Sequence, residues 1–392
     1  MSLDNDTYST TTPTLLDNLA FKSALLSMMS DTGPDSETND ELKHRAQSVL
    51  LDMGSTITPV GPHGVRTYDL LYAMIEGSEK AGLLSGVRYA AAAIIVAYQK
   101  GEAFNSSASE LIKLANDWFF FFLWPFRRAF RSDDFPQSES SESTPILHAS
   151  EDVADAVPVT PRGSKFRNLI SERDDKCVVT GTFNIQKGPY PPGTEGREGL
   201  LHATYILRRS IAHERSGSNG TIDIIKHLIK LPENIIDDLT GIIDNPENGM
   251  LLDMTMHDTL DIYMWCLHST DVLHKYKLHW FRPIPMCMEN FTEVHFQDHS
   301  QTGIQLPNPA YIALHSVIAH VLHLSGAAEV INKVYDAFFG KLDHTVPSEN
   351  RASKEDFPIR LLLIELTTNN NHLMDTRTLM RLFLLGAGES FQ

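Results

Sequence analysis

DNPENGMLLDMTMHDTLD, the stretch at residues 244–261, places a turn, a short strand and a helix start in direct succession. Asn248 and Gly249 form a strong turn dipeptide, and Pro246 stops any helix that would run into it. Residues 250–252 are apolar and long enough for one buried strand. The stretch therefore predicts a polar turn, a buried strand and a following helix.

His257 and Asp261 are four residues apart in this stretch, so on a helix they share one face. An imidazole and a carboxylate on one face could hold one metal ion. The same spacing also fits a solvated pair on a helix surface. A strand, a polar turn and a helix with an inward histidine are typical of a site that binds a divalent cation beside a phosphate. A nuclease is therefore the first hypothesis.

The surrounding region mixes strand and helix patterns. Residues 176–181 are a β-rich run that ends in a turn, and residues 200–207 are an apolar strand after a Pro/Gly-rich loop. Residues 222–240 carry isoleucines and leucines at helical spacing, and residues 276–281 alternate with the period of a strand. Within 176–181, Cys177 reads as a buried cysteine before a turn rather than a reactive thiol.

The first third of the chain is helical in pattern. The predicted helices lie at 15–30, 40–53, 68–80, 86–100 and 109–122. Residues 87–98 are apolar on almost every side, so we expect them to be the central helix of a small bundle. Residues 1–14 and 132–163 are rich in Ser, Thr, Pro or acidic residues and read as a disordered N-terminus and an acidic linker.

The C-terminal part is also helical in pattern. A strong helix is predicted over 309–339 with a bend near Gly326, and shorter ones over 359–366 and 376–385. His315, His320 and His323 are spread over more than one face of the first of these helices. That spread is more typical of ordinary helix residues than of metal ligands.

Charge and cysteine usage limit the possible classes of protein. The net charge of −17 is unfavourable for nucleic-acid binding if it is spread evenly, but it is not. Residues 161–230 carry 12 Lys and Arg against 7 Asp and Glu, whereas residues 231–270 carry eight acidic residues and no Lys or Arg. Three cysteines without a CxxC pair argue against a disulfide framework and against a closed zinc–thiolate knuckle. They favour an intracellular, reducing compartment, with nucleus and cytoplasm not distinguished.

No membrane association is expected. The N-terminus lacks the basic and apolar regions of a secretory signal. The apolar run WFFFFLWPF at 118–126 is about half of the ~20 residues that a spanning helix needs, and it contains Pro125. We interpret it as the buried end of a helix.

Taken in order, five motifs resemble the fungal HNH endonuclease-like proteins. They are RDDKCVVTG at 173–181, LHATYILRRSIA at 201–212, the stretch at 244–261, YKLHWF at 276–281 and LPNPAYIALHSVIAHVLHLSG at 306–326. The resemblance covers roughly 164–326, and the helical front half fits the family more loosely. No single motif suffices, but the ordered set is moderately specific.

The resemblance implies a ββα-metal fold in which two strands and a helix surround one divalent ion, Mg²⁺ or similar. It implies a histidine on the strand that acts as general base, a structural asparagine that holds the loop, and a metal-binding histidine on the helix. Asn248 matches the structural asparagine, and His257 matches the metal ligand. Asp261 falls where the family has an acidic residue, as a second ligand or as support for the helix face.

The general base is the point at which the chain departs from the family. The family pattern Ala-His-Ile-Leu reads Thr-Tyr-Ile-Leu at 204–207, so Tyr205 occupies the histidine position. A phenol with a pKa near ~10 is a poor base at neutral pH. His202 is three residues away, and alternation along a strand points it to the face opposite Tyr205 unless a bulge intervenes. The base position is therefore assigned to Tyr205, with His202 as the alternative.

Arg208, Arg209 and Arg215 follow the strand. They could contact phosphates or solvate a surface loop, and the sequence favours neither.

The sequence thus predicts an α+β chain in five parts. These are a disordered N-terminus (1–14), a helical bundle (15–131), an acidic linker (132–163), an HNH-like ββα-metal domain (164–285) and a helical extension packed on that domain (286–392). The first functional hypothesis is a metal-dependent endonuclease, active or impaired at Tyr205, that acts on nucleic acid, with DNA expected before RNA. The alternatives are an inactive HNH-fold protein that binds nucleic acid or protein, and a helical interaction protein whose function lies in 15–130. The sequence leaves the oligomeric state open.

Overall fold

A computed structural model describes residues 14–30, 37–54, 64–101, 104–127, 162–191, 193, 196–208, 218–230, 243–283 and 290–338. Its helices are α1 (Leu19–Ser30), α2 (Asn39–Met53), α3 (Thr67–Lys80), α4 (Leu84–Lys100), α5 (Phe104–Trp118), α6 (Arg162–Asp174), α7 (Ser218–Ile229), α8 (Met254–Asp261), α9 (Pro309–Ser325) and α10 (Ala327–Phe338). Its strands are β1 (Phe183–Asn184), β2 (Glu198–Gly199), β3 (Leu201–Tyr205), β4 (Gly249–Asp253), β5 (Trp265–Ser269), β6 (Lys275–Trp280) and β7 (Glu293–His295).

Helix α4 is the centre of the N-terminal helices, and α1, α2, α3 and α5 all pack against it. Its residues 90–94 are fully buried, as expected from a helix that is apolar on almost every side. Helix α2 begins at a capping box, in which Thr38 and Glu41 each accept a hydrogen bond from the other's backbone N–H. The prediction of a bundle around residues 87–98 is therefore confirmed.

The apolar run at 118–126 continues α5 as a π-helical turn over Phe119–Leu123. Trp118, Phe119 and Phe122 are buried in the core, which agrees with our interpretation of a buried helix end. Within the described ranges, no single helix is long and apolar enough to cross a membrane. The bent pair Pro309–Ser325 and Ala327–Lys333 passes that test by length and composition alone.

The strands form three small sheets. β3 pairs antiparallel with β4, in a register that places His202 opposite Leu252 and Tyr205 opposite Gly249. β5, β6 and β7 form an antiparallel sheet in that order, and β1 and β2 form a short parallel pair. The predicted strands at 200–207 and 276–281 are confirmed as β3 and β6 with shifted ends.

Of the β-rich run predicted at 176–181, the structure has one isolated bridge, between Lys176 and Phe183, and the turn that ends the run. Residues 178–180 form a turn closed by a hydrogen bond from the N–H of Gly181 to the carbonyl of Cys177 (2.9 Å). Gly181 has φ +70°, a left-handed conformation that glycine adopts without strain. Cys177 is buried before this turn, as predicted. The β-branched run had suggested a strand, but the local turn determines the conformation.

Helix α9 lies between the N-terminal helices and the β5–β7 sheet, because it packs on α3 on one side and on β5 on the other. It ends at Gly326, whose φ of +71° is left-handed, and α10 leaves at 80°. The predicted bend is therefore confirmed. The predicted helices at 359–366 and 376–385, the linker at 132–161 and most of the N-terminal segment lie outside the described residues.

The described chain is a mixed helix-and-sheet protein in which helices predominate. One apolar core joins α1 to α5 with α7, α8, α9 and the β5–β7 sheet. A smaller core of Phe166, Ile170 and Leu251 lies between α6 and the β3–β4 pair. The candidate site is on the other face of that pair.

Candidate active site

β3, β4 and α8 form a compact strand–strand–helix unit around residues 202 and 257. α8 follows β4 directly, and both α6 and α8 contact β3 and β4. Side chains alternate along β3, so Leu201, Ala203 and Tyr205 pack on the small core beside α6. His202 and Thr204 point to the other face. The face that carries His202 is therefore the face covered by α8.

His202 and His257 lie side by side. Their rings are parallel within 5°, with 5.2 Å between centroids. His202 is exposed and His257 is partly buried, so water and substrate can reach the pair. Partial burial, and then the neighbouring His257, lower the pKa of His202.

Tyr205 does not face α8. Its ring stacks on Phe166 of α6, with 4.2 Å between centroids and 8° between planes, and its hydroxyl donates to Oδ1 of Asp244 at 3.1 Å. The alternation rule correctly placed His202 and Tyr205 on opposite faces. Of the two candidates for the base position, the structure brings His202 and not Tyr205 beside His257, because α6 covers the Tyr205 face.

Gly249, the partner of Tyr205 on β4, explains how α6 approaches so closely. A Cβ built on Gly249 would lie 2.4 Å from the Phe166 ring and 2.8 Å from the Ile170 side chain. Only a residue without a side chain fits beneath these two groups. The Asn-Gly dipeptide that marked a turn in the sequence is therefore also a packing requirement.

Asn248 is fully buried and joins the two strands at their loop end. Its side-chain oxygen accepts from the N–H of Leu207 at 2.7 Å, and its amide donates to the carbonyls of Leu207 (2.8 Å) and Ile243 (3.1 Å). The Asn248 side chain thus makes the hydrogen bonds that the backbone of a neighbouring strand would otherwise make to the residues after β3. This is the loop-holding role that the resemblance implies for Asn248.

The start of α8 is tied to the turn after Cys177. Asp253 caps the helix by accepting from the N–H of Met256 at 3.0 Å. Its other oxygen accepts from the hydroxyl of Thr180 at 2.6 Å. One carboxylate therefore fixes where the helix that carries His257 begins.

Two carboxylates flank His257. Nδ1 is 3.4 Å from Oδ1 of Asp258, and Nε2 is 3.4 Å from Oδ2 of Asp261. The shared helix face predicted for His257 and Asp261 is therefore present. Asp261 is also engaged by Arg208, whose Nη2 is 2.9 Å from its backbone carbonyl and 3.1 Å from Oδ1.

Arg208 has neither of the two roles that the sequence left open. Its side chain is 6% exposed and holds the end of α8 through the ion pair with Asp261. It therefore neither solvates a surface loop nor faces solvent where it could contact a phosphate. Arg209 and Arg215 lie outside the described residues.

The residues around His257 fit a divalent cation by their donor chemistry. An imidazole nitrogen and a carboxylate oxygen 3.4 Å apart, on one face of a helix, are ligands that Mg²⁺, Mn²⁺ and Zn²⁺ accept. Asp258 is exposed and lies beside Nδ1, the other ring nitrogen, where its carboxylate can orient the imidazole. Arg208 neutralises part of the negative charge of Asp261. The carboxylate of Asp258 adds a negative charge that partly offsets this loss.

Two basic side chains are exposed on α6. The positive charge of Arg167 contributes, as the smallest cause, to the lowered pKa of His202. Lys165 lies two residues earlier, on a different face of the helix.

A buried charge pair behind the site was missed from the sequence. Arg173 is fully buried and forms two hydrogen bonds with Asp174, at 2.6 and 2.9 Å. It also donates to the carbonyls of Pro246 and Gly249, on either side of Asn248. Burial raises the pKa of Asp174. Both residues begin the motif RDDKCVVTG, to which the sequence analysis gave no structural role, and a charged run such as 172–176 more often marks a solvated loop.

Comparison with known proteins gives one match. Residues 177–268 match the family model described as HNH endonuclease. No curated protein and no solved structure matches the chain. The matched range begins at Cys177, contains β3, Asn248, β4 and α8, and ends at His268. Residues 177–268, which contain the strand–strand–helix unit, are therefore similar to HNH endonuclease domains.

Proposed function

We propose that this domain is a metal-dependent endonuclease of the HNH type and that His202 is its proton acceptor. The observation that carries the proposal is the parallel stacking of His202 on His257, at 5.2 Å between centroids. It places an exposed imidazole from the strand beside the candidate metal ligand on the helix.

His202 would accept a proton from the water that attacks the scissile phosphate. An imidazole is suited to this step because its ordinary pKa lies near neutrality. His257 and Asp261 would hold the divalent cation, and Asn248 would keep the loop after β3 in place. When bound, the cation would polarise the phosphate and stabilise charge on the leaving oxygen.

This assignment changes the significance of Tyr205. The sequence suggested an impaired enzyme because a phenol occupies the histidine position of the family pattern. In the structure Tyr205 is a packing residue between Phe166 and Asp244. The proposal therefore does not require Tyr205 to take part in proton transfer.

DNA is the proposed substrate. Arg167 and Lys165 are exposed on α6, and the charge of Arg167 acts on His202, so Arg167 would attract a phosphate backbone toward the site. The excess of basic over acidic residues in 161–230 also supports binding of nucleic acid by this part of the chain. Because the whole chain is strongly acidic, we expect binding to be weak and sensitive to salt.

One contact favours a second candidate, an HNH-fold protein that binds DNA without cleaving it. Arg208 already pairs with Asp261, and a ligand shared with an arginine binds a cation less tightly. In that case the domain would keep its scaffold and its basic border but lack a stably bound ion.

A plasmid-nicking assay with Mg²⁺ or Mn²⁺ distinguishes the two candidates. It would compare the native chain, His257→Ala and His202→Ala, with EDTA as a metal-free control. The endonuclease proposal expects nicking by the native chain that EDTA abolishes and that both substitutions reduce strongly. DNA binding without metal-dependent nicking by the native chain would reject it and support the second candidate.

We also propose an intracellular, reducing compartment, and the five-part layout as a division of the sequence, within which one apolar core joins the helical bundle, the HNH-like region and α9. Cys177 and Cys266 are both buried free thiols, which supports the compartment. Limited proteolysis would test the layout, with cleavage expected first in 132–163.

A further inference from the structure

A second group of possible metal ligands lies at the packing surface between β5 and α9. Cys266 and His268 alternate on β5 and therefore point to the same face of the sheet, and His320 reaches them from α9. One ligand atom from each of the three residues lies within 4.8 Å of the others. None of the three belongs to the candidate active site.

The distances within this Cys–His cluster are close to those around a tetrahedral ion. Nε2 of His268 and Nε2 of His320 are 2.8 Å apart. Two imidazole ligands of zinc, each at 2.0–2.1 Å from the ion, are about 3.3 Å apart, so the rings need to separate by roughly half an ångström. The nitrogens already face each other across the interface, which is the arrangement that a shared ion requires.

His279 supplies a third imidazole. It is the cross-strand partner of Cys266 on β6, so it lies on the same sheet face. Its ring centroid is 4.7 Å from that of His268 and 5.2 Å from that of His320. Two imidazoles and one thiol therefore have ligand atoms within 4.8 Å of one another, and the His279 ring lies beside them. Sulfur and imidazole nitrogen are the ligand types of structural zinc sites.

Burial raises the pKa of Cys266 to about 12, so the bound metal would have to displace the thiol proton, and one contact would support the resulting thiolate. The hydroxyl of Ser316, one helical turn before His320, donates to the sulfur of Cys266 at 3.2 Å. Hydrogen bonds of this kind orient a metal-binding sulfur and stabilise its charge. Burial lowers the pKa of all three imidazoles, and Lys80 nearby contributes in the same direction, so the rings are neutral and each keeps a nitrogen lone pair.

The positive charge of Lys80, which helps to lower the pKa of the three imidazoles, would also oppose a bound cation. A divalent ion close to a lysine is repelled unless another group neutralises it. Cys266, once deprotonated by the metal, supplies that negative charge. A site of histidines alone would lack this compensation.

We propose that Cys266, His268 and His320, with His279 completing the tetrahedron, bind one Zn²⁺ ion. Sulfur and imidazole ligands favour zinc over Mg²⁺, so this site would differ in metal from the candidate active site. Its role would be structural, because the ion would join the β5–β7 sheet to α9, which packs on the N-terminal helices through α3. The proposal gives His320 a role that the sequence analysis did not expect.

The test uses the full-length protein, stripped with a chelator and reloaded with Co²⁺ in a buffer that contains Mg²⁺. Cobalt bound to a thiolate gives an intense sulfur-to-metal charge-transfer band, which the oxygen and nitrogen ligands at His257 cannot produce. We expect this band in the native chain and in His257→Ala. We expect its loss in Cys266→Ser and its persistence in Cys177→Ser and Cys287→Ser, which change the other two cysteines.

A second measurement keeps the test valid if Cys266→Ser folds poorly. Zn²⁺ added to the stripped native chain should raise the unfolding temperature. His268→Gln should reduce this increase, whereas the control His44→Gln, on the surface of α2, should not. No charge-transfer band and no zinc-dependent stabilisation of the native chain would overturn the proposal and leave a neutral histidine pair joined by a hydrogen bond. Because nicking is assayed with Mg²⁺, either proposal can fail alone.

Discussion

The rings of His202 and His257 lie parallel with 5.2 Å between their centroids, although one residue belongs to a strand and the other to a helix. The contact depends on the β3–β4 register, which places His202 opposite Leu252, just before α8 begins. α8 then turns back over the strands and brings His257 above His202. The pairing is thus a consequence of topology rather than of a local motif.

Replacing His202 should abolish most of the proposed cleavage. A general base typically contributes 10²–10⁴-fold to rate, so His202→Ala should reduce metal-dependent plasmid nicking by ~10²-fold or more. Tyr205→Phe is the matched control, because it removes a hydroxyl from the other face of the same strand. It should keep nearly full activity. Equal loss in both variants would show that the strand, not the imidazole, had been disturbed.

Restoring the family histidine at position 205 should not increase activity. Tyr205→His would place an imidazole against Phe166 on α6, away from His257, and would remove the hydrogen bond to Asp244. We expect unchanged or lower nicking and a loss of stability of about 1 kcal/mol from the lost hydrogen bond. Kinetics and urea unfolding of the variant provide the measurements. A clear gain in cleavage would show that the side of β3 that faces α6 can take part in catalysis. It would contradict our assignment of that side as a packing surface.

Removing the Asn248 side chain should strongly destabilise the domain. Asn248→Ala would leave the buried N–H and carbonyl of Leu207 and the carbonyl of Ile243 without these partners. An unsatisfied buried polar group costs about 1–3 kcal/mol, so we expect a loss of about 3 kcal/mol in the free energy of unfolding.

Asn245→Ala is the control, because Asn245 caps only a short turn through the N–H of Glu247. It should cost about 1 kcal/mol. Similar losses in chemical denaturation would refute a special role for Asn248.

The order of elements around the site could be predicted because its signals are local. The Asn-Gly dipeptide, the apolar run after it and the four-residue spacing of His257 and Asp261 each act within one turn or one helix. The structure accordingly has a turn at Pro246–Asn248, β4 and α8 in that order. The loop-holding contacts of Asn248 also agree with the role that the resemblance implied.

The face of β3 that forms the site could not be predicted, because it depends on a distant helix. Phe166 and Ile170 cover the side of Tyr205, and α6, which carries them, has too few apolar residues for a clear helical pattern. The four-residue spacing of these two side chains was the only available signal. Alternation along a strand predicts that two residues point apart, but not which of them faces the active site.

The Cys–His cluster was hidden for a related reason. β5 was not predicted as a strand, so the shared face of Cys266 and His268 could not be inferred. The histidines of α9 are spread around a helix that is buried on almost every side, between α3 and β5. When a helix is enclosed in this way, a residue on any face can meet a partner, and periodicity no longer separates ligands from core residues.

Asp117 in the N-terminal helices should make the stability of the chain depend on pH. This carboxyl group is buried, 6% exposed, and burial raises its pKa from 3.8 to about 7, although it accepts from the N–H of Leu16 at 3.0 Å. Because the folded state holds the proton more tightly than the unfolded state, the stabilisation is complete below pH ~4 and is lost as the pH rises through 7.

Asp117→Asn should remove this dependence, because an amide keeps the acceptor for Leu16 without a charge to bury. A shift of about three pKa units corresponds to about 4 kcal/mol. The variant should therefore equal the native chain in stability near pH 4 and exceed it by up to that amount at pH 8. Urea unfolding of both proteins across this range measures the difference in the free energy of unfolding. The titration of groups common to both proteins cancels in that difference.

Asp69→Asn, at a partly exposed carboxylate paired with Arg66 on the surface, is the control and should show no such increase. A difference between Asp117→Asn and the native chain that stays constant from pH 4 to 8 would mean that Asp117 is ionised in the fold throughout.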